Sequence, residues 1–198
     1  LAAQLGKLVA QLSSGQPEAI EVACKGALAQ ENTEPVVQHG VTGVMQGNLG
    51  DQVNIISAPY LAQERGIRIT SSRTSGPEGG FTDLIEVRLT ADTGTAAAAG
   101  TLLGREQPRI VRIGEFDVEL VPEGHLLIVF NNDMPGCVGW VGATLGEAGI
   151  NIARMGVSRQ QAGGNALLTF NLDSPCQQAV LAKVQAFELV QRVIPVVL

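Results

Sequence analysis

His125-Leu126-Leu127-Ile128-Val129-Phe130, followed at once by Asn131-Asn132-Asp133-Met134-Pro135-Gly136, is the stretch that decides the fold. An apolar run of strand length ends in polar residues, and a Pro-Gly pair then opens a helical pattern. Val138, Val141, Leu145 and Ala148 share one side of a helix expected over residues 135–149, with Gly149 as its stop. A strand follows over Ile150–Arg159. The turn Gln160-Gln161-Ala162-Gly163-Gly164-Asn165 leads into a strand over Ala166–Asp173. Ser174-Pro175 begins a helix to about Phe187, and Leu189–Leu198 is the last strand. The order is βαββαβ, which places two helices on one face of an antiparallel, ferredoxin-like sheet.

The residues before this unit read differently. Leu1, Leu5, Leu8 and Leu12 fall at helical spacing with no cap ahead of them, so the chain opens in mid-helix. That suggests a fragment of a longer protein. Ala19–Ala29 reads as a strand, with Ile20, Val22 and Cys24 on one face. Thr33-Glu34-Pro35 begins a helix, with Thr33 as its cap, running to about Gly47. A second helical segment spans Val53–Gly66, interrupted at Ala58-Pro59. Five short strands are then expected within residues 67–121. Turn signals separate them at Ser75–Gly80, Asp92-Thr93-Gly94 and Ile113-Gly114-Glu115. Helices followed by strands indicate an α+β domain. Pro122-Glu123-Gly124 marks the boundary, giving domains over residues 1–123 and 124–198.

Composition narrows the function. The chain has 198 residues, enough for two small cores, and is 45% hydrophobic, which argues against disorder. Its net charge of −6 disfavours binding to nucleic acid or to an anionic membrane through bulk charge. No apolar run is long enough to span a bilayer. Cys24, Cys137 and Cys176 are far apart and odd in number, which implies free thiols in a reducing cytoplasm rather than disulfides or a metal site. No Gly-x-Gly-x-x-Gly follows a strand, so no nicotinamide fingerprint is present, and no cofactor or metal is expected on this fragment. His39 and His125 lack carboxylate partners at useful spacing and read as structural. Trp140 and Met155 read as core or interface residues.

The candidate chemistry sits after the first strand of the second unit. Gly136 carries no side chain, so backbone N–H groups at the helix start can approach an anion such as a carboxylate. Pro135 sits where its missing N–H costs nothing. Asp133 can hold an ammonium group or cap the helix. Asn131 can give or take a hydrogen bond. Asn151, followed by Ile152, can reach the same mouth or close a turn. A carboxylate site beside an ammonium site is what a free amino acid needs. Arg105, Arg109 and Arg112 form a separate cluster whose guanidinium forks suit phosphate or lie on a solvated strand face. Arg65, Arg68 and Arg73 read as surface charges.

Two resemblances extend these readings. Pro135-Gly136, Leu145-Gly146-Glu147-Ala148-Gly149 and Ile150-Asn151-Ile152 resemble the signature of ACT domains, which sense amino acids. Leu5–Leu12, Val53–Ala62 with Glu64-Arg65-Gly66-Ile67, Ala99–Gly104, Arg109-Ile110-Val111 and Ile113–Phe116 resemble the intervening domain of long-form D-3-phosphoglycerate dehydrogenases. The resemblance implies a parent enzyme that oxidises 3-phosphoglycerate with NAD to 3-phosphohydroxypyruvate, the entry to serine synthesis. The catalytic and NAD-binding domains would lie outside this chain. It further implies L-serine as an inhibitory effector held by Asn131, Asp133, Pro135, Gly136, Asn151 and Ile152. Two ACT domains would pair side by side, with Asn131 and Asp133 of one facing Asn151 of the other. Arg109 matches a basic position of a site for phosphate-bearing ligands, while a second basic position of that pattern falls at Val121, a departure. Two rivals stay open. The iron–sulfur L-serine dehydratases carry a similar pair of domains but need cluster-binding cysteines, and some ACT-like modules only dimerise.

Overall fold

The computed structural model describes residues 1–76, 79–104 and 106–198. The expected turn residues Pro77 and Glu78, and Arg105 of the arginine cluster, lie outside the described residues. The chain divides into two compact units, residues 1–114 and 115–198.

The first unit begins with α1 (Ala2–Leu12) and β1 (Pro17–Gly26), then a short 3-10 turn over Ala27–Gln30. Next come α2 (Glu34–Leu49) and α3 (Ser57–Glu64). The strands β2 (Arg68–Thr74), β3 (Asp83–Ala91), β4 (Gly94–Leu103) and β5 (Gln107–Ile113) follow. They lie in the order β2-β1-β3-β4-β5, and β1 with β2 is the parallel pair. Alternation along each strand decides the faces. Ile20, Val22, Val87, Leu89, Ala98 and Ile110 are buried on the face toward α1 and α2, which contribute Leu5, Leu8, Val9, Val41, Val44 and Met45.

Two local expectations are corrected here. Thr33 does not cap α2 with its side chain; it is buried, and Asn32 Oδ1 accepts from the Glu34 N–H at 3.2 Å instead. The segment after Val53 is not a helix broken at Pro59. Asn54 Oδ1 accepts from the Ile56 and Ser57 N–H groups, both at 2.9 Å, and so starts α3 late. Pro59 then falls in the first turn, where no helical N–H is needed.

The second unit holds β6 (Phe116–Leu120), β7 (His125–Asn132), α4 (Cys137–Glu147), β8 (Ile152–Arg159), β9 (Asn165–Leu172), α5 (Gln178–Gln185) and β10 (Val190–Val197). From β7 onward this is the βαββαβ order, with an antiparallel sheet ordered β10-β7-β9-β8. One face carries Leu127, Val129, Leu168 and Phe170 against Val141, Leu145 and Val184 of the helices. The opposite face is covered by β6, which packs on β8 and β9, with Phe116 edge-on to Phe130 at 6.3 Å. Asn171, buried on that side, donates to the carbonyls of Val121 (3.0 Å) and Glu123 (3.4 Å). These contacts place β6 with the second unit, ahead of the Pro122–Gly124 turn.

α4 starts later than its Pro-Gly pair suggests. Pro135 and Gly136 form a turn, Gly136 takes φ 102°, and the first helical residue is Cys137. The buried side of α4 is therefore Cys137, Val141, Thr144 and Leu145, while Val138 and Ala148 are exposed. Trp140, half-buried, stacks on Phe187 at 5.2 Å.

Candidate functional site

β7 ends beside β9 and β10, where Asn131 lies opposite Ala166 and Val190. Asn131 shares the helix-side face with Leu127 and Val129 and is 2% exposed. Its Nδ2 donates to the Asn132 carbonyl at 2.8 Å, and its buried Oδ1 accepts from none of the described residues. A buried acceptor without a donor is unfavourable.

Asp133 does not cap α4, which has no side-chain cap at its N-terminus. Its Oδ2 instead accepts from Arg159 Nη1 at 3.0 Å and from the Gly163 N–H at 3.1 Å. Its own N–H donates to the Gly164 carbonyl at 2.8 Å. The β8–β9 turn is thus fastened to the loop before α4. The Gly163 N–H, and then the Arg159 guanidinium, hold the Asp133 carboxyl below the usual carboxylate range. It is an anion throughout the neutral range. Pro135 and Gly136 are exposed beside it, at the open N-terminus of α4.

Asn151 and Ile152 are elsewhere. Ile152 pairs with Leu172, which pairs with His125 at the start of β7, whereas Arg159 pairs with Ala166 and so with Asn131. The two halves of the expected site therefore lie at opposite ends of the sheet in one chain, about 20 Å apart along the strand. The expectation that Asn151 reaches the Asp133 mouth within one chain is corrected by this register. Asn151 Nδ2 donates to Asp173 Oδ2 at 2.7 Å, and Ile152 packs on the helix-side core.

In the first unit, a register shift at Ala99/Gly100 puts Arg109, opposite Thr101, and Arg112, opposite Ala99, on the same outer sheet face. Arg109 donates to the Pro108 carbonyl at 2.9 Å. Arg112 donates to Glu86 Oε2 at 3.1 Å, where Lys25 Nζ also lies at 2.9 Å, and Arg88 Nη2 lies 2.8 Å from Oε1. Burial works to raise the Glu86 pKa. Hydrogen bonds from Lys25 and Arg88, with the charges of Lys25 and Arg112, outweigh it and hold the carboxyl below its usual range. Sequence reading found the arginines but missed Lys25, Arg88 and Glu86, which only strand register brings together. Arg159 was missed for the same reason.

Among the described residues, no three His, Cys, Asp or Glu side chains converge as metal ligands, and no helix is long and apolar enough to cross a membrane. Burial pushes the thiol pKa of Cys24, Cys137 and Cys176 up. A cleft of about 940 Å³ in the first unit contains none of the candidate residues. Two of its polar side chains are engaged internally: His39 Nδ1 lies 2.7 Å from the Pro35 carbonyl, and Asp83 accepts from the Leu28 N–H at 2.5 Å.

Residues 1–114 match the model of the D-3-phosphoglycerate dehydrogenase intervening domain. The chain belongs to this family. Relatives agree beyond the intervening domain. A D-3-phosphoglycerate dehydrogenase of Synechocystis sp. is 32% identical over 185 residues, covering 93% of this chain and 33% of the relative. One of Archaeoglobus fulgidus is 36% identical over 183 residues, covering 91% of this chain and 34% of the relative. One of Mycobacterium tuberculosis is 31% identical over 195 residues, covering 96% and 37%. The chain thus spans about a third of the length of these relatives.

Proposed function

We propose that this chain is the C-terminal regulatory region of a cytoplasmic, NAD-dependent D-3-phosphoglycerate dehydrogenase, and that its second unit is an ACT domain that binds L-serine between two copies. NAD and the oxidation of 3-phosphoglycerate belong to the rest of the parent enzyme.

The observation that carries the effector site is the end of β7. There an ionised Asp133, not used as a helix cap, stands two residues from a buried, unpartnered Asn131 Oδ1 and beside the open N-terminus of α4. An ammonium group fits the Asp133 carboxylate. Asn151 supports the two-copy arrangement because its own chain puts it at the wrong end. β8 is the sheet edge, and Met155 and Val157 on it are 46% and 52% exposed. A second copy running antiparallel along β8 covers these side chains and brings its Asn151 level with Arg159 of the first. Serine bound there bridges the copies and biases an equilibrium felt by the distant active site, with a coupling of about 1–3 kcal/mol. Arg109, together with Arg112, is proposed to receive a phosphate-bearing ligand.

Titration calorimetry tests the reading. The chain is expected to take up L-serine as a dimer. Asp133→Ala should lose that binding while self-association, read by sedimentation, persists. Unchanged serine affinity in Asp133→Ala would favour an ACT unit that only associates.

A further inference from the structure

We propose that Arg159 is a specificity-determining residue of the Asp133 site, its guanidinium receiving the carboxylate of a zwitterionic amino acid whose ammonium group lies on Asp133. This rests on the effector reading above and adds the residue that selects the ligand's charge pattern.

Arg159 is the last residue of β8, and its Nη1 meets Asp133 Oδ2 at 3.0 Å. Asp133 Oδ1 accepts from none of the described residues, and the remaining N–H donors of Arg159 reach no acceptor among them. Each member of the pair therefore keeps an unused edge. The carboxylate has an acceptor to offer, and the guanidinium has N–H groups to offer. Neighbouring edges of opposite sign complement a molecule carrying opposite charges one carbon apart. A simple amine can be seated only on the Asp133 side, with Arg159 opposing it. A simple carboxylate meets the reverse. An α-amino acid satisfies both without breaking the pair. The planar fork of arginine suits a carboxylate in a way an ammonium does not. Gly163 adds its N–H to Asp133 Oδ2 at 3.1 Å and keeps the carboxylate oriented while the ligand enters.

The competing account is an exposed ion pair that merely ties the turn to the loop. Such a pair contributes little to stability and selects nothing.

The test compares L-serine with L-serinamide, which keeps the ammonium and lacks the carboxylate, on the unaltered chain, Arg159→Gln and Arg159→Lys. The unaltered chain is expected to prefer L-serine by roughly tenfold or more, the usual scale of a charge-assisted contact. Arg159→Gln should lose most of that preference, through weaker L-serine binding together with tighter serinamide binding once the opposing guanidinium is gone. Arg159→Lys should fall between. A serine-to-serinamide ratio that Arg159→Gln leaves intact overturns the proposal while the effector site stands. A rise in L-serine affinity in Arg159→Gln also overturns it, by showing that Arg159 competes with the ligand. Binding of neither compound to the unaltered chain removes the effector reading, and this inference with it.

Discussion

Both units carry glycines in their helices, and the two units use them oppositely. In α1 and α2 the glycines are points of closest approach. A Cβ on Gly6 would overlap the Gly40 carbonyl oxygen and lie 2.7 Å from the Val44 nitrogen. One on Gly43 would overlap the Ala3 carbonyl oxygen and lie 2.8 Å from its carbonyl carbon. In α4, by contrast, a Cβ on Gly139, Gly142 or Gly146 would meet nothing within 4 Å. Glycine lowers helix stability wherever it occurs. In the first unit that cost is offset by backbone packing inside the unit. In α4 no contact within the unit offsets it.

Three substitutions probe this difference, beginning with the largest effect. Gly43→Ala must push α1 from α2 through backbone atoms that cannot rotate away, and should cost about 3 kcal/mol or more. Thermal or urea unfolding of the first unit reads this directly. If Gly43→Ala is neutral, the close approach does not hold the unit together.

Glu86→Gln asks whether the outer face of the same sheet is equally interlocked. It leaves Lys25, Arg88 and Arg112 gathered around an uncharged amide. Because the network is partly exposed, the expected loss is about 1–2 kcal/mol rather than the larger cost of breaking a fully buried pair. The folded pKa of Glu86 lies below its unfolded value. Its contribution is therefore present above the ordinary glutamate value of about 4.3, and is lost as pH falls through the lower folded value. The gap in unfolding midpoint between Glu86→Gln and the unaltered chain should hold from neutral pH to about 5 and shrink progressively as pH falls below the ordinary glutamate value of about 4.3. A gap that persists in acid would mean that packing, not charge, is being measured.

Gly142→Ala is the smallest and carries the opposite sign. With open space around it, alanine should stabilise α4 by about 1 kcal/mol. If it destabilises as Gly43→Ala does, the outer side of α4 is covered in solution, and the contrast between the two helix layers disappears.

Much of the second unit was readable along the chain. The apolar run before Asn131, the Pro-Gly pair and the glycine-bearing turns recover its strands and helices within a few residues of their ends. The misplacements came from competition between local signals. Pro135-Gly136 reads as a helix start, but Gly136 adopts a left-handed turn, so the buried side of α4 begins at Cys137 instead of Val138. Thr33 has the right chemistry for a cap, but its burial leaves that role to Asn32. In the candidate site, Asn131 and Asp133 were legible because they are near neighbours in sequence. Arg159, whose side chain reaches Asp133, was not, because 26 positions separate them.

The sequence by itself determined the order of elements, the alternation that builds two separate cores, and the residue types that suit an amino acid ligand. These follow from period, caps and turns, which are properties of short stretches. Only the tertiary structure decided which charges meet. Strand register joined Asp133 to Arg159, gathered Lys25, Arg88 and Arg112 on Glu86, and sent Asn151 to the far end of the sheet. Electrostatics falls off with distance in space and is indifferent to distance along the chain, so a charge pairing follows from the fold and not from the spacing of its members.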